Sequence, residues 1–173
     1  VVTNFQLNGL QVKAEGETPD RNITENVLSN YNTSFEGVNG DGNLYWWNDA
    51  NWSQVNIPRQ AHGESKPSAD CGDYYVEVKP ASEGAKALCQ VGNADMAGLI
   101  KGGVTYEYSY YAKLTNGSGT VKMNVTGAST DWSSQSYATV TPDKEVTLTA
   151  DAWTKVTGTF VLPDSKDQVQ LKF

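Results

Sequence analysis

The sequence predicts an all-β protein, a jelly-roll β-sandwich of two antiparallel sheets, and three observations carry that expectation. Eight short segments alternate apolar with polar residues or are rich in Val, Thr and Tyr, which is the composition that fits a pleated, half-buried surface. Gly, Asn, Asp or Pro stands between them. Stretches with apolar residues at helical spacing are few, and glycines or β-branched residues interrupt most of them. Short strands in such number pair into a sandwich or jelly roll.

The expected strands run in order from Phe5–Val12 and Tyr74–Val78 through Thr105–Lys113 and Thr120–Thr126. Tyr137–Val140, Glu145–Leu148, Lys155–Leu162 and Gln168–Phe173 follow. Successive side chains in a strand point to opposite faces, so alternation also sorts them. Tyr106, Tyr108, Tyr110 and Ala112 form one set, and Glu107, Ser109, Tyr111 and Lys113 the other. At the end of the chain Val169, Leu171 and Phe173 alternate with Gln168, Gln170 and Lys172. The apolar sets face the core. The polar sets are expected to make a sheet face with an isolated aromatic, a composition suited to a sugar, because ring faces stack while amides and ammonium groups bond hydroxyls. Residues 13–31 have no strand pattern and read as a connection.

Length and composition bound the rest. With 173 residues the chain suffices for one domain with a proper core. Hydrophobic residues at 38% are too many for disorder, and polar residues break them too often for a membrane span. A net charge of -7 without a basic cluster argues against a nucleic-acid partner. No basic amphipathic helix suggests a membrane surface. The chain opens at Val1 with no leader pattern, so a secretion signal would lie outside it. Cys71 and Cys89 flank a predicted strand and are a candidate disulfide or two buried thiols. Asn-x-Ser/Thr triplets stand at Asn22, Asn32, Asn51, Asn116 and Asn124 in a chain rich in those residues, where chance supplies several.

Catalytic chemistry has little to stand on. The one histidine, His62, lies in a polar stretch with no nucleophile motif around it. Nucleotide-binding glycine patterns and zinc-protease motifs are absent. Two carboxylates across a cleft would suffice for a small jelly-roll glycosidase, and Glu107 with Glu77 is the candidate pair. The plainer reading makes them solvated strand carboxylates or hydrogen-bonding partners of a sugar.

The order of segments carries a resemblance. GGVTYEYSYYAK (102–113), TVKMNVTG (120–127), AWTKVTGTFVLP (152–163) and VQLKF (169–173) follow one another as the late strands do in carbohydrate-binding modules of family 4 and its relatives, families 9, 16 and 22. NTSFEG (32–37) resembles their opening, Tyr45-Trp46-Trp47 falls where they carry Gly-Trp, and DCGDYYVEVK (70–79) is similar to an early strand. The likeness covers residues 32–173. It implies a module without catalytic activity that binds xylan or β-glucan in a cleft over a concave sheet. Such modules are attached to or inserted in bacterial xylanases and glucanases, which implies a secreted or cell-surface bacterial protein, monomeric, with a glycoside hydrolase in the same polypeptide. Where the family ends with one more strand this chain stops, and FQLNGLQV (5–12) resembles the missing strand. That segment either completes this sheet or belongs to a preceding module.

The resemblance also assigns residues. Trp132 falls where family 4 xylan binders place a cleft aromatic, and Tyr111 matches an aromatic of their Lys-terminated strand. Tyr137 is a further candidate, and of Trp46 and Trp47 one is expected in the core and the other in the cleft. Gln168, Gln170, Lys172 and Gln90 are the expected hydroxyl partners. No cofactor is expected for activity, but many relatives hold a structural calcium. Glu36 matches one of its ligands, Asn8 stands at the last-strand Asp, and Cys71 falls on the third acidic position.

Overall fold

The computed structural model describes residues 5–14, 26–28, 32–49, 57–62, 66–69, 71–82, 84–90 and 98–173. Trp52 and most of the expected connection lie outside the described residues. The elements are β1 (Phe5–Ala14), β2 (Trp47–Asp49), β3 (Arg59–Ala61), β4 (Tyr74–Val78), β5 (Leu88–Gln90), β6 (Thr105–Leu114) and β7 (Ser118–Val121). They continue with β8 (Asn124–Ala128), β9 (Gln135–Tyr137), β10 (Thr139–Thr141), β11 (Val146–Thr149), β12 (Thr154–Val161) and β13 (Gln168–Lys172). One sheet has the order β10-β12-β6-β1-β4-β3, the other β2-β5-β13-β8-β9, and β11 and β7 form a separate ribbon. All pairings among the described residues are antiparallel. The expected jelly-roll β-sandwich is what the chain forms.

The core lies between the sheets. From the six-stranded sheet it takes Leu7, Tyr106, Tyr110 and Phe160, all 0% exposed, and from the five-stranded sheet Val169 and Leu171, also 0%. Phe173 ties the layers together: its ring lies 5.0 Å from Tyr110, 6.3 Å from Trp47 and 6.5 Å from Phe5. Aromatic pairs at such distances add to what burial of their area contributes. Trp47 is therefore the core tryptophan, at 1% exposure, with its Nε1–H donating to the Asn32 carbonyl at 3.0 Å.

β1 occupies the centre of its sheet, paired with β6 on one side and β4 on the other. It extends through Lys13 and Ala14, so the expected connection begins two residues later than the sequence suggested. Between Asn8 and Gln11 the register slips. Gly9 makes the irregularity at φ 62°, where a Cβ would meet Cys71 Sγ at 2.9 Å. The bulge lets both Leu7 and Leu10 point inward.

Of the two expected forms of the cysteine pair, the chain takes that of two buried thiols. Cys71 packs on β1 of the six-stranded sheet and Cys89 belongs to β5 of the other, and both are buried. A disulfide needs Cα atoms within about 7 Å, which residues on opposing layers of a sandwich, about 10 Å apart, do not meet.

Candidate functional site

Register sorts the outward side of the five-stranded sheet. Gln170 stands opposite Thr126, and Thr126 opposite Tyr137, so the three side chains share one face. Gln168, Ala128 and Gln135 make the next row, while Lys172 lies between Asn124 and Cys89 on the other side. Gln170 is 3% exposed and Thr126 2%, whereas Tyr137 is 69% exposed on the edge strand. Polar groups thus floor this face and an aromatic ring projects at its margin. Lys172 is half-buried, and its burial, followed by the charge of Lys86, lowers the pKa of its ammonium.

The β8–β9 loop stands at the end of the same face and carries Trp132, half-exposed at φ 63°. A bulky residue adopts that conformation only where its surroundings enforce it. Here Asp131 accepts hydrogen bonds from Ser129 Oγ at 2.9 Å, Ser133 Oγ at 2.7 Å and Ser133 N at 3.1 Å. These bonds, those of Ser133 first, hold the Asp131 carboxyl at about 2. Trp132 N–H donates to the Ser129 carbonyl at 3.0 Å, and Gln135 Nε2 donates to the Trp132 carbonyl at 3.2 Å. Gln168 closes the arrangement from β13: its Nε2 donates to the carbonyls of Ser129 at 2.7 Å and Thr130 at 3.1 Å. Gln168 is thus a strut beneath the tryptophan loop, with its amide N–H groups committed to protein.

Tyr111 lies elsewhere. It belongs to β6, opposite Asn8 on one side and Lys155 on the other, on the outward side of the six-stranded sheet. The sequence joined the outward residues of β6 and β13 into one polar face; the two strands occupy different layers, so their outward sides point away from each other. Around Tyr111 this second face carries Tyr75, His62 and Trp153, their ring centroids 4.7 to 5.7 Å apart. Trp47, buried in the core, offers no ring to solvent, and Trp46 is half-buried and packed against the core at φ 72°. Gln90 pairs through its backbone with Trp47; its side chain lies outside the described residues.

The acid pair of the glycosidase reading does not form a cleft. Glu77 and Lys113 both stand opposite Gln6, and Glu107 is six residues from Lys113 along β6. That interval is about 20 Å of strand, against the roughly 5 to 10 Å that glycosidases require between their carboxylates. Glu77 accepts a hydrogen bond from Gln6 Nε2 at 2.5 Å.

The model of the carbohydrate binding domain of families 4 and 9 matches residues 27–173. The chain belongs to this family. Searches of curated proteins and of solved structures found no match. A carbohydrate-binding module is non-catalytic, and the separation of Glu77 from Glu107 accords with that. Among the described residues no helix is long and apolar enough to cross a membrane.

The side chains expected to hold calcium are engaged with protein groups. Glu36 Oε1 accepts the Asp73 N–H at 2.9 Å, and Asn8 Oδ1 accepts the Gly9 N–H at 2.8 Å while its Nδ2 faces His62 Nε2. Lys66 Nζ lies 2.6 Å from Asp73 Oδ1. Its hydrogen bond holds the Asp73 carboxyl below the usual range, and Asp73, with Glu36 beyond it, raises the Lys66 pKa. An ammonium thus serves the Asp73 carboxylate, and no group of three His, Cys, Asp or Glu that could hold a metal occurs among the described residues.

Reading the sequence missed Asp131, Thr126 and the Trp153 cluster. The first had a signal: in STDWSS an aspartate lies among serines and threonine, a composition that closes turns on itself. The others become visible only with the register.

Proposed function

We infer that this module binds a β-linked plant polysaccharide, xylan first and 1,3/1,4-β-glucan second, along the outward face of its five-stranded sheet. It thereby holds a glycoside hydrolase of the same polypeptide on its substrate. The observation that carries the reading is the braced loop presenting Trp132 at the end of a face whose polar floor runs out to the exposed ring of Tyr137. Pyranose rings stack on Trp132 and Tyr137 through their C–H faces, while Lys172 and Asn124 bond hydroxyls. Gln168 serves by fixing the loop. The ligand is an extracellular polymer, so the module is secreted or displayed on the cell surface, and the resemblance to bacterial xylanase modules points to a bacterium. It acts as a monomer.

Affinity gel electrophoresis against soluble arabinoxylan, barley β-glucan, laminarin and galactomannan, with a reducing-sugar assay on the same samples, tests this. Retardation by xylan without released sugar is expected. Trp132→Ala should weaken binding by about 1–3 kcal/mol, roughly 5- to 150-fold, with an unchanged melting temperature. Migration unaffected by every glycan would refute the reading.

A further inference from the structure

The opposite face of the sandwich is rich in hydroxyls. A depression of about 370 Å³ opens on the outward side of the six-stranded sheet, over β1, β6 and β12. Two rows of facing residues supply its side chains: Thr157, Ser109 and Gln11 form one, and Thr159, Glu107 and Lys13 the other. The bulge after Asn8 adjoins it, and Tyr111 stands two residues beyond Ser109 on the same side of β6. The backbone of Gly158 and the edge of Tyr108 complete the lining.

The chemistry of this lining selects its ligand. Three hydroxyls and an amide donate and accept hydrogen bonds alike, which suits a partner that also does both. The single carboxylate and the single ammonium cancel, so no net charge favours a phosphate or another anion. No aliphatic side chain belongs to the lining, where Tyr108 supplies the one aromatic edge, so a purely hydrophobic ligand would leave its hydroxyls and amide unpaired. A neutral polyhydroxylated ring matches these terms, with Tyr111 as an aromatic neighbour at one end.

We propose that the module carries a second glycan-binding site in this depression, so that one chain grips two segments of neutral β-linked oligosaccharide on opposite faces. The proposal rests on the reading that the module binds such glycans at all. Two weak sites joined by a rigid body convert separate affinities into avidity on a polymer, and let one module bridge neighbouring strands.

Isothermal titration with xylohexaose and with cellohexaose tests it. The wild-type chain should bind two molecules of one of them, and Trp132→Ala only one. Glu107→Ala/Thr157→Ala, which truncates two exposed side chains, should likewise keep one site, and the combined variant should lose at least tenfold at both. Ser109→Trp, filling the depression, should repeat the result of the double alanine variant; a circular dichroism melt of each variant verifies its fold. A stoichiometry of one that Trp132→Ala abolishes would overturn the second site and leave the first intact. Absence of heat with both oligosaccharides, together with free migration in the glycan gels, would instead overturn the reading on which it rests.

Discussion

Asp131 organises the candidate site without touching it. Its carboxylate gathers Ser129 and Ser133 into one turn, and that turn sets the backbone on which Trp132 projects. A group with a depressed folded pKa contributes stability that is fully present above its unfolded value, about 3.9, and is lost as the pH falls through the folded value, about 2 for Asp131. Glycan binding and Trp132 fluorescence should therefore stay level from pH 8 to about 4, and the loop should loosen only near pH 2, as tryptophan emission followed down the pH scale would record. Gln168→Ala should weaken binding severalfold although the amide reaches no sugar; affinity equal to wild type in gels would assign the loop's rigidity elsewhere. The tyrosines of β6 offer a matched comparison. Tyr110 Oη is buried with no hydrogen-bond partner, and burial raises its pKa well above the usual phenol value. Tyr106 Oη accepts from Lys101 N at 2.8 Å and donates to the Leu99 carbonyl at 3.0 Å. Tyr110→Phe should thus raise stability by about 1 kcal/mol, or some 2–4 °C in melting temperature, and Tyr106→Phe should lower it by about 1–3 kcal/mol. Equal shifts in a thermal melt would contradict the assignment.

At the scale of elements, what the sequence revealed depended on whether a strand's partner repeats its period. β4 was legible to the residue and β6 to within one, because long alternation between an apolar and a polar face survives wherever one side is buried. The segment 120–126 was read as one strand, yet β7 ends at Val121 and joins the ribbon while β8 begins at Asn124 in the five-stranded sheet. Val121, Met123 and Val125 are all buried, so alternation runs straight through a change of partner. The same holds at Ala138, where β9 and β10 pass from one sheet to the other. β2, β3 and β5, three residues each, are too short to show a period. Site residues followed the same rule. The outward positions of β6 and β13 were identified correctly within each strand, but alternation carries no information about which sheet a strand joins, so Tyr111 was grouped with Gln168, Gln170 and Lys172. The Lys66–Asp73 pair depended on loop geometry that no period encodes. EDTA should accordingly leave the melting temperature unchanged; a fall reversed by added Ca²⁺ would reveal a site outside the described residues.

For the whole molecule, the family match and the folding unit differ in extent. The match starts at residue 27, whereas β1, Phe5–Ala14, is the strand between β4 and β6. Its inward residues Phe5, Leu7, Leu10, Val12 and Ala14 are each at most 4% exposed. Burying the four larger ones contributes about 1.5–3 kcal/mol apiece, together about 6–12 kcal/mol, which is comparable to the entire stability of a domain. Removing β1 also strips the ladder from both neighbours, leaving two open edges in the middle of a sheet. A variant that begins at residue 27 should therefore lack a cooperative thermal transition, bind a hydrophobic dye and fail to retard in glycan gels. Adding a synthetic peptide of residues 1–14 should restore the transition if β1 acts by pairing and burial alone. A cooperative melt of the shortened chain by itself would mean that β4 and β6 close on each other, and that the sandwich does not depend on the strand at its centre.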